Sequence, residues 1–261
     1  MGPSSIAGIN KLPEVEKRAI YSRIIPESLI ELFNFSPDFL DQSGNDLLTF
    51  NYPPGSSNVE VSLKHLYNFP DPIQYGHLTD TVNGQIHVLL YILNDPASPR
   101  FNVDRLPNGQ KTVFGTQTRN IEAEISAMEA GLAPGQIRRG LRMLPNAIRS
   151  FEDFVTSLGH DIYFVEPLFY HNAVIFEQYG FAYQRGFKLM ERIQAGFSVA
   201  GDLIRKLDSS SPFRKPSYSS SIRLRSWSIH DGILGEPFSL VTMYKYVGKS
   251  AKVRTCFTRK W

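Results

Sequence analysis

The sequence contains a single cysteine, Cys256, and no long apolar run. One cysteine excludes an internal disulfide bond and cannot by itself build a thiolate metal site, which suits a reducing compartment. No segment supplies the roughly 20 apolar residues that a membrane-spanning helix requires. The opening MGPSSIAGINKLPEVEKR also lacks the apolar stretch of a secretory signal. We therefore expect a cytoplasmic protein with no membrane association.

Several familiar motifs are also absent. There is no G-x-S-x-G sequence and no Walker-type loop, which disfavours an elbow-type hydrolase and a P-loop nucleotidase. The histidines include no short ligand pair such as H-x-x-x-H, and we predict no structural metal. Because no nucleic-acid reading motif is present, we do not expect nucleic acid as a partner.

The composition is that of a globular protein. Of 261 residues, 42% are hydrophobic and 20% are charged, which allows a substantial core in one main domain with appendages. The net charge is +3, yet from Arg214 onward ten residues are basic and two, Asp231 and Glu236, are acidic. This C-terminal stretch either attracts an anion, such as a phosphorylated cofactor, or forms a solvated surface.

The pattern along the chain predicts three regions. Residues 1–70 predict an N-terminal extension with two short helices within 13–35, the second starting at Pro26, and irregular chain after them. Residues 71–208 form the core. Residues 209–261 form a basic C-terminal extension with further strands, packed on the same domain.

Three features of the core precede its most informative stretch. The apolar run from 85 to 93 predicts a buried central strand. Pro107-Asn108-Gly109 marks a turn, and residues 111–115 predict a short strand paired through it. Residues 121–132 fit either a helix, from their alanines and glutamates, or a strand, from their alternating apolar residues.

Residues 131–190 carry the clearest succession of elements. After the loop Ala133-Pro134-Gly135, residues 145–158 place apolar side chains on one helical face, and Gly159 ends this helix. The predicted elements that follow are a strand at 162–165, a helix at 172–179, a strand at 181–190 and a helix at 193–207. This order predicts a parallel crossover and an α/β (α+β) fold, with a mixed central sheet flanked by helices.

Two segments of this stretch carry a family resemblance. The segment PGQIRRGLRML (134–144) leads into the first predicted helix, and HNAVIFEQYGF (171–181) follows the predicted strand. Together they resemble the GNAT superfamily of acyl-CoA-dependent N-acyltransferases. In that family a Q/R-x-x-G-x-G/A loop binds the pyrophosphate of acyl-CoA, and an N...A...Y-x-x-x-G-F helix lies beside it. The resemblance covers residues 131–190 and implies an acyl-CoA N-acyltransferase-like core.

The resemblance implies acetyl-CoA or another acyl-CoA as the cofactor. Main-chain N–H groups at the loop and the helix start would meet the diphosphate, and arginines would add positive charge. The implied cofactor-binding residues are Gln136, Ile137, Arg138, Arg139, Gly140, Leu141 and Asn172. Arg142 stands where the family has a second glycine or alanine. The alternative is an ordinary surface loop, with Asn172 as a helix cap.

The resemblance also implies catalytic groups. The tyrosine that commonly protonates the leaving thiolate falls at Phe176, which has no proton to donate. The candidates for this role are Tyr170, His171 and Tyr179. If residues 121–132 form a strand, Glu122 and Glu124 share one face, where a carboxylate can accept the proton of an incoming amine. If they form a helix, this role disappears.

Four segments outside the resemblance also carry predictions. Residues 94–105 (NDPASPRFNVDR) follow the central strand and either contact substrate or form a rigid turn held by Asp–Arg pairs. Residues 208–221 are rich in serine and predict a mobile loop. Residues 222–229 and 238–247 predict strands that either extend the sheet or form a homodimer surface.

The sequence supports two functional hypotheses. The first is an enzyme that transfers an acyl group from acyl-CoA to a small-molecule amine of unknown identity. The second is a non-catalytic relative that keeps the same frame and binds a small molecule or a partner.

Overall fold

The structure is a computed structural model that describes residues 2–53, 55–112, 118–258 and 260–261. The α-helices are α1 (Ile6–Ile9), α2 (Glu14–Tyr21), α3 (Glu27–Phe33), α4 (Ile121–Glu129), α5 (Leu144–Ser157), α6 (Tyr170–Gln178), α7 (Phe187–Gly196), α8 (Asp202–Arg205) and α9 (Ile222–His230). Short 3₁₀ helices span Ser22–Ile24 and Pro216–Ser220. The strands are β1 (Leu48–Asn51), β2 (Asn58–Leu63), β3 (Gln74–Asp80), β4 (Ile86–Leu93), β5 (Ile162–Val165), β6 (Ala182–Arg185) and β7 (Thr242–Tyr246).

The chain divides into two compact units. The first unit comprises Met1–Ala97, Gly140–Glu166 and Tyr244–Ser250. The second unit comprises Ser98–Arg139, Pro167–Met243 and Ala251–Trp261.

The strands of the described residues form a mixed sheet in the order β1-β2-β3-β4-β5-β7-β6. Strands β1 to β4 are antiparallel neighbours, whereas β4 and β5 run parallel. Two parallel strands need a long crossover connection between them. Helix α5 is the part of this connection that belongs to the first unit and leads into β5. The predicted mixed sheet flanked by helices is therefore confirmed.

The core of the first unit lies between the sheet and α5. This helix buries Phe151 and Phe154, and the Phe151 ring packs edge-on against Tyr163 of β5 with centroids 5.1 Å apart. The helix and the strand predicted at 145–158 and 162–165 are both confirmed. The helices predicted within 13–35 are also present, as α2 and α3.

The core of the second unit is built around Trp227 of α9, which is fully buried. Its indole N–H donates to the Leu132 carbonyl at 2.8 Å, and its ring stacks on Phe213 at 5.3 Å. Glu177 of α6 accepts from the Tyr183 hydroxyl at 2.7 Å and from the Thr255 amide at 3.0 Å. These bonds fix the C-terminal segment of this unit.

Two predicted strands are wrong or shorter than expected. Residues 222–229 form helix α9, because the Ser221 side chain caps the Leu224 amide at 3.2 Å and starts the helix. The strand predicted at 181–190 ends at Arg185, and α7 starts two residues later. Gly186 separates them at φ 91°, where a Cβ would lie 2.8 Å from Val241 Cγ2.

The single helix predicted at 193–207 is also wrong. Helix α7 ends at Gly196, and α8 starts at Asp202. Gly196 and Gly201 have low helix propensity, which disfavours a continuous helix from α7 to α8.

The sheet includes strands that the sequence did not predict. Strand β1 lies in a region expected to be irregular, and β2 pairs with both β1 and β3. The predicted strand at 238–247 is present as β7. Lys111 makes an isolated bridge with Arg105, and the Thr112 amide donates to the Asp104 carbonyl at 2.9 Å. Residues 113–115 of the strand predicted at 111–115 lie outside the described residues.

Among the described residues, none of the helices is both long and apolar enough to cross a membrane.

Candidate functional site

Strands β4 and β5 pair over a short distance and then separate. The parallel register joins His87 to Phe164 and Val88 to Val165. The Glu166 amide then donates to the Val88 carbonyl at 3.0 Å. Strand β4 continues to Leu93 with no β5 partner. The carboxyl end of β4 therefore has one edge without a strand neighbour among the described residues.

A β-bulge lies at the point of separation. His77 of β3 pairs with Leu90, whereas the next residue, Leu78, pairs with Val88. Leu89 is therefore the extra residue of β4. A bulge bends its strand and redirects the main chain, and bulges are common beside active sites.

The main-chain groups beyond the bulge can be assigned to an edge. The Asn94 amide donates to the Ile73 carbonyl on the β3 side at 2.9 Å. In a strand, the N–H and C=O groups of one residue point to one edge, and those of the next residue point to the other edge. Because the Asn94 amide faces β3, the main-chain groups of Leu93 and Tyr91 point to the open edge. Gly140 approaches this edge, since a Cβ built on it would lie 3.3 Å from the Leu93 carbonyl oxygen.

The turn that follows Gly140 leads directly into α5. Arg142 adopts a left-handed conformation with φ 58° and is exposed. Within the described part of the chain, the amides of residues 140–143 donate to no acceptor, and the Arg142 side chain forms no ion pair. Helix α5 has no side-chain cap at Met143. Its free amides and helix dipole make this turn attractive to an anion.

The predicted cofactor residues before Gly140 are held by their own neighbours. Gln136 accepts from the Ala133 amide through its side chain at 2.7 Å, and the Ile137 carbonyl accepts from the Phe101 amide at 2.8 Å. These bonds hold the loop in shape. They also occupy the side-chain oxygen of Gln136 and the carbonyl of Ile137, which a ligand would otherwise contact.

The two predicted arginines also contact the protein. Arg138 is buried, and its guanidinium donates to the Ser98 carbonyl. The Arg139 amide donates to the Ser98 hydroxyl at 3.2 Å, and its guanidinium donates to the Ala130 carbonyl at 3.2 Å. Arg142, the third arginine of this stretch, is exposed as Arg139 is, and its side chain makes no hydrogen bond or ion pair among the described residues.

Asn172 caps helix α6. Its side-chain oxygen accepts from the Phe169 amide at 3.2 Å, and its side-chain nitrogen lies 3.3 Å from His171 Nε2. The structure thus gives Asn172 the capping contacts named above as the alternative.

Two of the predicted proton donors are buried within the second unit. His171 Nδ1 lies 2.9 Å from the Ser226 hydroxyl. Burial, aided by the charge of His230, lowers the pKa of His171 to about 3. Burial likewise raises the pKa of Tyr170 far above its ordinary value. Neither group is suited to donating a proton at neutral pH in this arrangement.

The remaining positions of α6 differ in exposure. Tyr179 is half-buried at the end of the helix. Phe176, at the position where the resemblance places a tyrosine, packs against Phe181 with ring centroids 5.0 Å apart. Tyr179 is therefore the most accessible of the predicted donors.

Glu122 and Glu124 lie on helix α4, not on a strand. Asn120 caps the helix by accepting from the Ala123 amide at 3.2 Å, which settles the ambiguous sequence in favour of helix. Glu122 is exposed, whereas Glu124 is buried. The two carboxylates therefore do not share a strand face, and of the two alternatives the helix is the one that forms.

Glu124 belongs to a buried ionic network in the second unit. Its carboxylate pairs with Arg119 and lies 3.2 Å from His230 Nε2. Arg119 also pairs with Asp231 at 3.1 Å, and Asp231 pairs with Arg214 at 2.8 Å. Burial raises the pKa of Glu124, but its hydrogen bonds to His230 and Arg119 outweigh this effect and hold the pKa below its ordinary value. Glu124 is thus committed to structural pairing.

A groove in the second unit lies between α7 and the C-terminal segment. It has a volume of about 330 Å³, and its rim exposes Phe187 and Phe257. Glu191 and Arg254 supply charges of opposite sign to its lining. The sequence did not predict this groove, because its two walls are more than 50 residues apart along the chain.

The chain matches no protein-family model, and comparisons with curated proteins and with solved structures give no match either. A function therefore has to be inferred from the residues and geometry of the chain itself.

Proposed function

We propose that the protein is an N-acyltransferase that transfers an acyl group from acyl-CoA to an amine. The observation that carries the proposal is the open edge of β4 beyond Val88, together with the exposed turn beside its end. Ligands of α/β proteins commonly bind outside the carboxyl ends of parallel strands, where neighbouring strands or helices diverge. The resemblance of residues 131–190 supplies the class of ligand.

The turn at residues 140–143 is proposed to bind the diphosphate. Its unused amides and the start of α5 present partial positive charge, and Arg142 adds a full charge. Gly140 allows the main chain to pass close to Leu93, so that the turn lies against the end of β4.

The pantetheine arm is proposed to extend along β4. Its amide groups can pair with the main-chain groups of Tyr91 and Leu93, as an added strand would. From Leu93 back to Leu89 the strand covers about 13 Å at roughly 3.3 Å per residue. This direction brings the thioester to the bulge, where β4 and β5 separate.

A non-catalytic binding protein is the second candidate function. It is favoured by the absence of a hydroxyl at Phe176 and by the burial of Tyr170 and His171. In this case the cofactor site is retained and turnover is lost. Only Tyr179 remains as an accessible donor among those that the resemblance implied.

Calorimetry with acetyl-CoA and longer acyl-CoAs tests the proposal. We expect binding, and we expect Arg142→Ala to weaken it about tenfold or more, because a charge-assisted hydrogen bond contributes about 1.5–3 kcal/mol. Arg149→Ala is the matched control, since Arg149 is an exposed arginine further along α5. Its affinity should remain that of the wild type.

Thiol release with a panel of primary amines separates the two functions. Turnover supports the acyltransferase, while binding without turnover supports the non-catalytic protein. If no acyl-CoA binds, the acyltransferase is refuted, and so is a binding protein that keeps the acyl-CoA site.

A further inference from the structure

Glu166 occupies the position at which β4 and β5 separate. Its amide makes the last bond to β4, at Val88, and it follows the paired residue Val165 directly. If the parallel register continued by one residue, Glu166 would stand opposite Leu89. Glu166 therefore lies at the same position along the sheet of the first unit as the bulge.

The face on which Glu166 lies follows from the register. Phe164 pairs with His87, and their rings meet edge-on at 6.3 Å. Because alternate residues of a strand share a face, Glu166 lies on the side of Phe164 and His87. Burial lowers the pKa of His87, and the negative charge of Glu166 opposes that effect. His87 is thus the titratable group whose pKa the charge of Glu166 raises.

The Glu166 carboxylate lacks the structural contacts that other carboxylates of the first unit make. In the described part of the first unit it makes no hydrogen bond and no ion pair, although its side chain is half-buried. Asp80, by contrast, accepts from the amides of Ile6 and Ala7 at 2.7 and 2.9 Å. Glu152 accepts from the Gly248 amide at 3.1 Å.

We infer that Glu166 is the catalytic carboxylate that accepts the proton of the amine substrate. This inference rests on the proposed function, which places the thioester beside Leu89. It also replaces the role that Glu122 and Glu124 lose by lying on a helix. A carboxylate at the point of strand separation is within reach of an amine that attacks the thioester there.

The substrate enters as an ammonium ion, and one of its protons passes to the Glu166 carboxylate and from there to water, which frees the nitrogen lone pair. The amine nitrogen then attacks the thioester carbonyl carbon, and a C–N bond forms. The C–S bond breaks, and its electron pair leaves with CoA as the thiolate. The thiolate takes up the second proton lost from nitrogen. A carboxylate base also favours substrates whose amine is protonated in solution, since the cation is attracted to it.

Glu166→Gln tests the inference, because it keeps the size of the side chain and removes its basicity. We expect acetyl-CoA to bind as in the wild type. We expect kcat/KM for a primary amine to fall about 100-fold or more at pH 7, the usual contribution of a general base. At pH 9.5 more of the amine is already neutral, so the loss should shrink to less than about tenfold.

Glu16→Gln is the matched control, since Glu16 is an exposed glutamate of α2 in the same unit. Its activity should match that of the wild type at both pH values. A purely structural defect in Glu166→Gln would lower activity equally at pH 7 and pH 9.5. That result, or unchanged activity, would overturn the role of Glu166 and leave the acyltransferase standing.

Two other results would act on the proposed function itself. If the wild type binds acetyl-CoA and acylates none of the amines, the transferase and the role of Glu166 both fall, and the binding protein remains. If acetyl-CoA does not bind, the cofactor site falls as well.

Discussion

Acidification should destabilise the protein through His171, and the effect can be separated from that of other groups by one substitution. His171 is buried, with Ser226 at one ring nitrogen and Asn172 at the other. An amide nitrogen facing Nε2 fits an unprotonated Nε2, and Nδ1–H then donates to the Ser226 hydroxyl. Protonating the ring would place a second N–H against the Asn172 amide group.

The magnitude follows from the pKa in the two states. His171 has a pKa of about 3 in the folded protein, against about 6.5 for an unfolded histidine. As the pH falls, the unfolded state therefore takes up the proton before the folded state does. The free energy of unfolding decreases as the pH falls from about 6.5 towards about 3. Between pH 7.5 and pH 5 this linkage amounts to about 2 kcal/mol.

Urea denaturation at pH 7.5 and pH 5 measures this loss. His171→Asn should show about 2 kcal/mol less dependence of its unfolding free energy on pH than the wild type, whatever its stability at pH 7.5. His160→Asn is the control and should keep the wild-type dependence, because His160 lies at the surface beside the Ser4 carbonyl. Equal pH dependence in wild type and His171→Asn would refute a buried neutral His171.

Two further substitutions test the packing of the second unit. Glu124→Gln should lower the free energy of unfolding by about 3 kcal/mol in urea denaturation, because Arg119 then lacks its nearer buried carboxylate; a loss below 1 kcal/mol would contradict the network. Gly135→Ala should cost about 2 kcal/mol or more in the same measurement, because φ is +80° and the added Cβ would clash with the Phe169 ring; a neutral effect would contradict this contact.

The sequence predicted those elements whose pattern is local and strong. Helix α5 has an apolar face of regular spacing and a stop at Gly159, and β4 and β5 are compact apolar runs. The strand prediction for α9 is wrong because the apolar residues Ile222 and Leu224 alternate with arginines, as they would in a strand. The cap at Ser221 and the burial of Trp227 favour the helix. The burial of Trp227 depends on tertiary contacts, which the local sequence pattern does not show.

The candidate site could be predicted only in part. The turn after Gly140 was located by its resemblance, but the occupation of Arg138 by the Ser98 carbonyl was not, because the two residues are 40 positions apart. Leu89 as a bulge has no local signature, since it arises from the register with β3. Glu166 becomes notable only when β4 and β5 are seen to separate beside it.

Hydrogen exchange of the turn at residues 140–143, measured with and without acetyl-CoA, tests the central claim most directly. These amides have no acceptor among the described residues, so they should exchange rapidly in the free protein. Acetyl-CoA should slow their exchange together with that of Tyr91 and Leu93 on the open edge of β4. Protection confined to other parts of the chain, or none at concentrations that saturate binding, would contradict the claim.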